Sequence, residues 1–94
     1  MIEYYDREGN VLDRDRWISL FGDDDYKVVA RTEVDDVMVS TVWLGLNHQY
    51  GDGPPLIFET LVIDGGNDGD MWRYSTEAEA IEGHERAVTL VGGE

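Results

Sequence analysis

His48 and His84 are the only imidazoles in the chain, and with no cysteine present they are the side chains whose ordinary titration range best suits acid–base chemistry near neutral pH. An imidazole becomes a general base or a metal ligand when a carboxylate or second histidine orients it. His84 falls at the centre of an apolar helical stripe, where a core histidine hydrogen-bonded to backbone, tyrosine or carboxylate is the commoner arrangement. His48 stands in Asn47-His48-Gln49-Tyr50-Gly51-Asp52-Gly53. That composition suits ligand contacts, and it equally suits any connector between two strands. Asn47, His48, Tyr50 and Asp52 are therefore the candidate binding residues, and alanine at His48 or Tyr50 should weaken binding without unfolding the chain. No residue is assigned a catalytic role. A metal-dependent hydrolase built from either histidine with carboxylates is the enzymatic alternative.

Other patterns fall short of a chemical site. Asp64, Asp68 and Gly69 match the first, fifth and sixth positions of a calcium loop, but Gly66 replaces the third ligand and Ser75 the bidentate glutamate of the last. The stretch Asp64–Asp70 reads instead as a glycine-rich hairpin loop. Asp23-Asp24-Asp25 reads as a solvated run, because three adjacent carboxylates rarely converge on one ion. Ser19, Ser40 and Ser75 lack a nucleophile elbow, and no glycine-rich phosphate loop is present. Disulfides, thiolate zinc sites and a cysteine nucleophile are excluded by composition. No metal or cofactor is expected.

The elements that would position these residues follow from periodicity and punctuation. Ile2–Tyr5 and Val11–Leu12 flank the turn cluster Arg7-Glu8-Gly9-Asn10, which predicts a short hairpin. Asp13 can cap a helix over 14–21, where Trp17, Leu20 and Phe21 share a face and Gly22 stops it. Tyr26, Val28, Ala30, Thr32 and Val34 alternate with Lys27, Val29, Arg31 and Glu33, the two-residue period of a strand. With Asp35-Asp36 as the turn, Val37, Val39, Thr41 and Trp43 return on the same, core-facing side. The other face would mix Met38, Val42 and Leu44 with Lys27, Arg31, Glu33 and Ser40, leaving it open to a partner. Pro54-Pro55 introduce a third strand over Leu56–Ile63, and Met71–Tyr74 makes a fourth with Trp72 and Tyr74 on one side.

Ser75 or Thr76 can then cap a helix running to about Val91, with Thr76 and Glu79 in capping-box spacing. Ala80, Ile81, His84, Ala87, Val88 and Val91 form its apolar stripe. Gly83 is unfavourable in a helix interior, so its place beside Ala80 and Ala87 implies a backbone passing close to something bulky, a tryptophan being the expected neighbour. The fold class is thus α+β: an antiparallel meander of about four strands, a C-terminal amphipathic helix on one face and a short N-terminal helix.

The bulk numbers narrow the function. A chain of 94 residues suits one compact core, and three Trp and five Tyr supply apolar surface for an ordered fold despite the charge. The formal charge of −14, from 21 acidic and 7 basic side chains, repels phosphates and anionic lipid, which argues against direct nucleic-acid or membrane binding. It suits solubility or a basic protein partner. No apolar run approaches the roughly 20 residues of a membrane helix, and Met1–Asp6 lacks the pattern of a secretory signal, so a cytoplasmic location is expected.

Two stretches, Val39–Val62 with its Trp43-Leu44-Gly45-Leu46-Asn47-His48-Gln49-Tyr50 and Pro54-Pro55-Leu56-Ile57-Phe58, and Met71–Glu85 with its Met71-Trp72-Arg73-Tyr74-Ser75-Thr76-Glu77, carry a resemblance. Together with Tyr4-Tyr5-Asp6 and Arg31-Thr32-Glu33, they resemble a family of small proteins of actinobacteriophages, mycobacteriophages especially, and of actinobacterial genomes. The resemblance brings no assigned activity or catalytic residue, and the turn Val34-Asp35-Asp36-Val37 is shorter than the Pro-Asp-Gly type of that family. It implies a phage accessory product acting in a host cytoplasm. The leading expectation is a non-enzymatic binder of a host or phage protein through an acidic surface. A DNA mimic occupying a nucleic-acid-binding protein is the sharper alternative. Self-association is a third, should Trp43, Trp72 and several tyrosines exceed what so small a core can hide.

Overall fold

The computed structural model describes residues 3–47, 53–64 and 67–92. Its first elements are β1 (Tyr4–Tyr5) and β2 (Val11–Leu12), paired antiparallel through Tyr4↔Leu12 and Tyr5↔Val11. The Asp6 carboxylate closes their turn by accepting from the Glu8 and Asn10 amides at 2.9 and 2.8 Å. Helix α1 (Arg14–Phe21) follows, its first turn capped by Asp13, whose carboxylate accepts from the Arg16 amide at 2.8 Å. Gly22 ends it as expected.

The acidic run beyond differs from the expectation. Asp23 caps a single helical turn, α2 (Asp24–Lys27), accepting from the Asp25 amide at 3.1 Å. Carboxylates at a helix N-terminus face its unpaired amides and positive dipole end, so the run is structured by its own charges. Tyr26 and Lys27 consequently belong to this turn and not to the strand.

Four strands form one antiparallel sheet in chain order: β3 (Val28–Val34), β4 (Val37–Trp43), β5 (Phe58–Asp64) and β6 (Asn67–Tyr74). Val34 pairs with Val37 around a tight turn in which Asp35 takes φ 55°, a left-handed conformation that aspartate tolerates better than most residues. A second correction concerns the start of β3. The register slips between Val28↔Val42 and Ala30↔Thr41, so Val29 is a bulge residue. Val29 packs on the core, and Val28 joins the opposite face with Val42. The fourth strand is also longer than expected, because Asp64 pairs with Asn67, and Asn67–Asp70 is strand where a loop was predicted.

Helix α3 (Glu77–Gly92) lies across one face of the sheet. The capping box forms as its spacing implies: the Glu79 amide donates to Thr76 Oγ1, and the Thr76 amide to Glu79 Oε1, both at 3.1 Å. Ala80, Gly83, His84 and Ala87 are its buried residues, whereas Ile81 is 44% exposed and leaves the expected stripe. The rotation follows from Gly83, which faces the sheet; a Cβ there would strike the Tyr74 ring and hydroxyl. The close neighbour is thus a tyrosine and not a tryptophan.

The core has two parts on this covered face. Val39, Val62 and Ala87 form one, flanked by Val37, Trp72, Val88 and Val91. Trp43, Ile57, Phe58 and Ala80 form the other, which the N-terminal hairpin, α1 and α2 cap with Tyr5, Leu12, Trp17, Leu20, Phe21 and Tyr26. Trp43 is fully buried and donates from its indole N–H to the Tyr5 carbonyl at 2.9 Å, so it contributes nothing to an exposed patch. Gly45, at φ 75°, lets the chain turn between two indoles, since a Cβ would lie 2.5 Å from Trp17 Nε1 and 2.6 Å from the Trp43 ring. Arg7 fastens this cap to α3, with Nε 2.7 Å from Glu77 Oε1 and another guanidinium N–H donating to the Tyr26 carbonyl at 2.9 Å.

Candidate functional site

Of the four candidate binding residues, Asn47 lies at the exposed end of the β4–β5 connector. Its side-chain oxygen accepts from the Leu56 amide at 3.1 Å, a link between the two arms of that connector. His48, Tyr50 and Asp52 lie outside the described residues.

His84 is placed by the covered face. It is 5% exposed, and its Nδ1 lies 2.7 Å from Thr41 Oγ1 and its Nε2 2.9 Å from Thr32 Oγ1. Thr41 in turn meets Thr60 at 2.6 Å. A neutral imidazole has one donor and one acceptor nitrogen, so the three contacts form one directed chain of hydroxyls and ring. The ring's partners are threonines of β3 and β4, with Thr60 of β5 one step further along the chain, in place of the backbone, tyrosine or carboxylate expected. Burial lowers the His84 pKa from the usual 6.5, partly countered by the charge of Glu85. The ring is neutral at neutral pH, with both nitrogens engaged, which suits it to fixing α3 on the sheet. Among the described residues no three histidine, aspartate or glutamate side chains stand together as a metal site.

The structure draws attention instead to the face of the sheet opposite α3. Register and alternation set its side chains in three rows. The first runs Glu33, Met38, Ile63; the second Arg31, Ser40, Leu61, Met71; the third Val28, Val42, Glu59, Arg73. Directly opposed side chains on one face touch across the strands, so Met38, Leu61, Ile63 and Met71 form an apolar centre. Ile63 and Met71 remain 49% and 47% exposed. Charge surrounds it: Arg31 and Glu33 on β3, and Glu59 paired with Arg73 at 3.2 Å. A shallow depression of about 270 Å³ opens beside Arg31, Val42, Leu44 and Leu61, with Lys27 at its edge.

Half of this face was expected. Met38, Val42, Arg31, Glu33 and Ser40 occupy it as the two-residue period implied, and Lys27 reaches its edge from α2 with its ammonium 3.8 Å from the Phe21 ring centre. The contribution of β5 and β6 was missed. Phe58, Thr60 and Val62 alternate with Glu59, Leu61 and Ile63, two sets of similar hydropathy, so the pattern did not say which faced inward. The signal that resolves them is pairing with β4, whose faces differ more.

Among the described residues no helix is long and apolar enough to cross a membrane. Comparison of the chain with protein-family models, with curated proteins and with solved structures gives no match.

Proposed function

We propose that the chain is a non-enzymatic protein-binding module whose partner sits on the uncovered sheet face and is basic in character. The observation that carries this reading is the contiguous apolar centre of Met38, Leu61, Ile63 and Met71, rimmed by Arg31, Glu33, Glu59 and Arg73. An apolar middle with a charged border is the anatomy of a protein interface, and a small soluble domain gains nothing in stability from leaving it in water. The net charge of −14 then steers a basic partner toward the domain and disfavours acidic competitors. Arg31 and Arg73 on the same face argue against a row of phosphate-like charges there, so an ordinary interface is preferred to DNA mimicry. The resemblance to actinobacteriophage proteins supplies the setting, a phage accessory product in the host cytoplasm.

The test is affinity capture from actinobacterial lysate with the wild-type protein and an Ile63→Glu variant, at low and high salt. Ile63 is half exposed, so the substitution should leave the thermal midpoint nearly unchanged. One dominant, salt-sensitive partner retained by the wild type and lost by the variant is expected. Equal recovery on both proteins would sink the reading, as would nothing reproducible on either.

A further inference from the structure

We infer that the groove between β6 and α3 is a second binding site, one that takes an extended basic segment of another protein as an added strand beside β6. The groove is separate from the uncovered sheet face and has a volume of about 580 Å³, within the range of ligand-binding clefts. Trp72 and Tyr74 form its strand side, and Gly83, Arg86, Ala87 and Leu90 its helix side. The Tyr74 ring packs directly on Gly83 and closes the groove at that end, while Ala87 offers only a methyl beside Trp72. Leu90 stands 62% exposed at the lip without an apolar cover.

The neighbouring backbone decides the kind of occupant. β6 is an edge strand, so its outward amides and carbonyls have no partner strand among the described residues. Proteins usually blunt such edges with bulges, prolines or charges. The first half of β6 is blunted: the register shifts between Leu61↔Met71 and Ile63↔Asp68, and Asp70 is exposed. The second half is regular, with unbroken pairing from Leu61↔Met71 to Phe58↔Tyr74. Its charge, Arg73, belongs to the opposite face, where Glu59 holds it. A regular edge beside an apolar groove matches strand addition, because backbone bonds would fix the segment and every second side chain would enter the groove between Trp72, Tyr74 and α3.

Charge selects a foreign, basic segment over a second copy of this chain. Arg86 is partly neutralised by Glu82 at 3.8 Å, while Glu85 lines the groove and the last turn of α3 holds no basic residue to offset its negative dipole end. Asp70, exposed at the bulge just ahead of the regular stretch, adds a negative charge near the groove's end of the strand. Two copies would each bring a charge of −14 to the contact and repel.

The probe is a displayed library of short random peptides selected on the intact protein. Selected sequences should be rich in Lys and Arg with apolar residues at alternate positions, and they should shift the amide resonances of Met71–Tyr74. Leu90→Arg, at an exposed position, should weaken them by about tenfold or more, while Ile63→Glu on the other face leaves them unaffected. Loss of the lysate partner in Ile63→Glu with peptide binding intact keeps the two sites distinct. Failure to enrich any peptide would overturn the inference. So would binders indifferent to Leu90→Arg, acidic consensus sequences, or a wild-type dimer in sedimentation that Leu90→Arg dissolves.

Discussion

At the scale of single residues, His84 and Gly83 carry the most specific consequences. His84 is held neutral by burial, so its folded-state pKa lies below its unfolded value. As pH falls through about 6.5, the unfolded chain takes up a proton that the folded chain resists, and stability declines with it. Protonation breaks no contact, since Thr32 and Thr41 can accept from an imidazolium; the penalty is desolvation. Urea denaturation between about pH 5 and 7 should therefore show a falling midpoint in the wild type, and the histidine share of that slope should vanish in His84→Gln. An equal slope in both proteins would place the effect elsewhere. Gly83 offers the opposite kind of test. Glycine to alanine in a helix interior normally gains about 1 kcal/mol, but here the added methyl meets the Tyr74 ring, and overpacking costs about 1–3 kcal/mol. Gly83→Ala should be neutral to destabilising, and should become stabilising in a Tyr74→Ala background, as a double-mutant cycle by thermal melts would read.

Secondary-structure elements separate what is local from what is not. The capping box of α3, the Asp13 cap of α1 and the Val34–Val37 turn were legible because each depends on residues within a few positions of one another. Thr76→Ala should accordingly cost about 1 kcal/mol, with circular dichroism showing a lower melting midpoint and an unchanged spectrum at room temperature. What could not be read is relational. The bulge at Val29 answers to the core beneath β3, and α3 is rotated because Gly83 must clear Tyr74. A helical wheel of apolar side chains places Ile81 inside, and although the misfit of Gly83 in a helix interior signals a close neighbour, only the pairing of β6 identifies that neighbour as Tyr74. The groove along β6 escaped for the same reason: it is defined by Gly83 and Ala87 against an edge strand assigned only once the sheet order is known. The uncovered face was half legible, because β4 carries a contrast between its two sides that β5 lacks.

The whole molecule is governed by an excess of 14 negative charges. Among the described residues the ion pairs are Arg7–Glu77, Arg73–Glu59 and Arg86–Glu82, and the last is exposed on both sides. Exposed pairs contribute little, so their loss on adding salt is small. Repulsion among the remaining carboxylates is distributed over the surface and extends about a Debye length, roughly 10 Å at 0.1 M, which added salt shortens. Screening should thus help the fold more than it harms it, and the melting midpoint should rise as sodium chloride is increased. The proposed partners respond with the opposite sign, since basic surfaces are attracted by the same charge that strains the domain. A single salt series, with melting followed by scanning calorimetry and partner or peptide binding by titration, should show stability climbing while affinity falls. If both fell together, local ion pairs such as Arg7–Glu77 would outweigh long-range repulsion. If affinity did not change, the acidic excess would serve solubility alone and recognition would rest on the apolar faces.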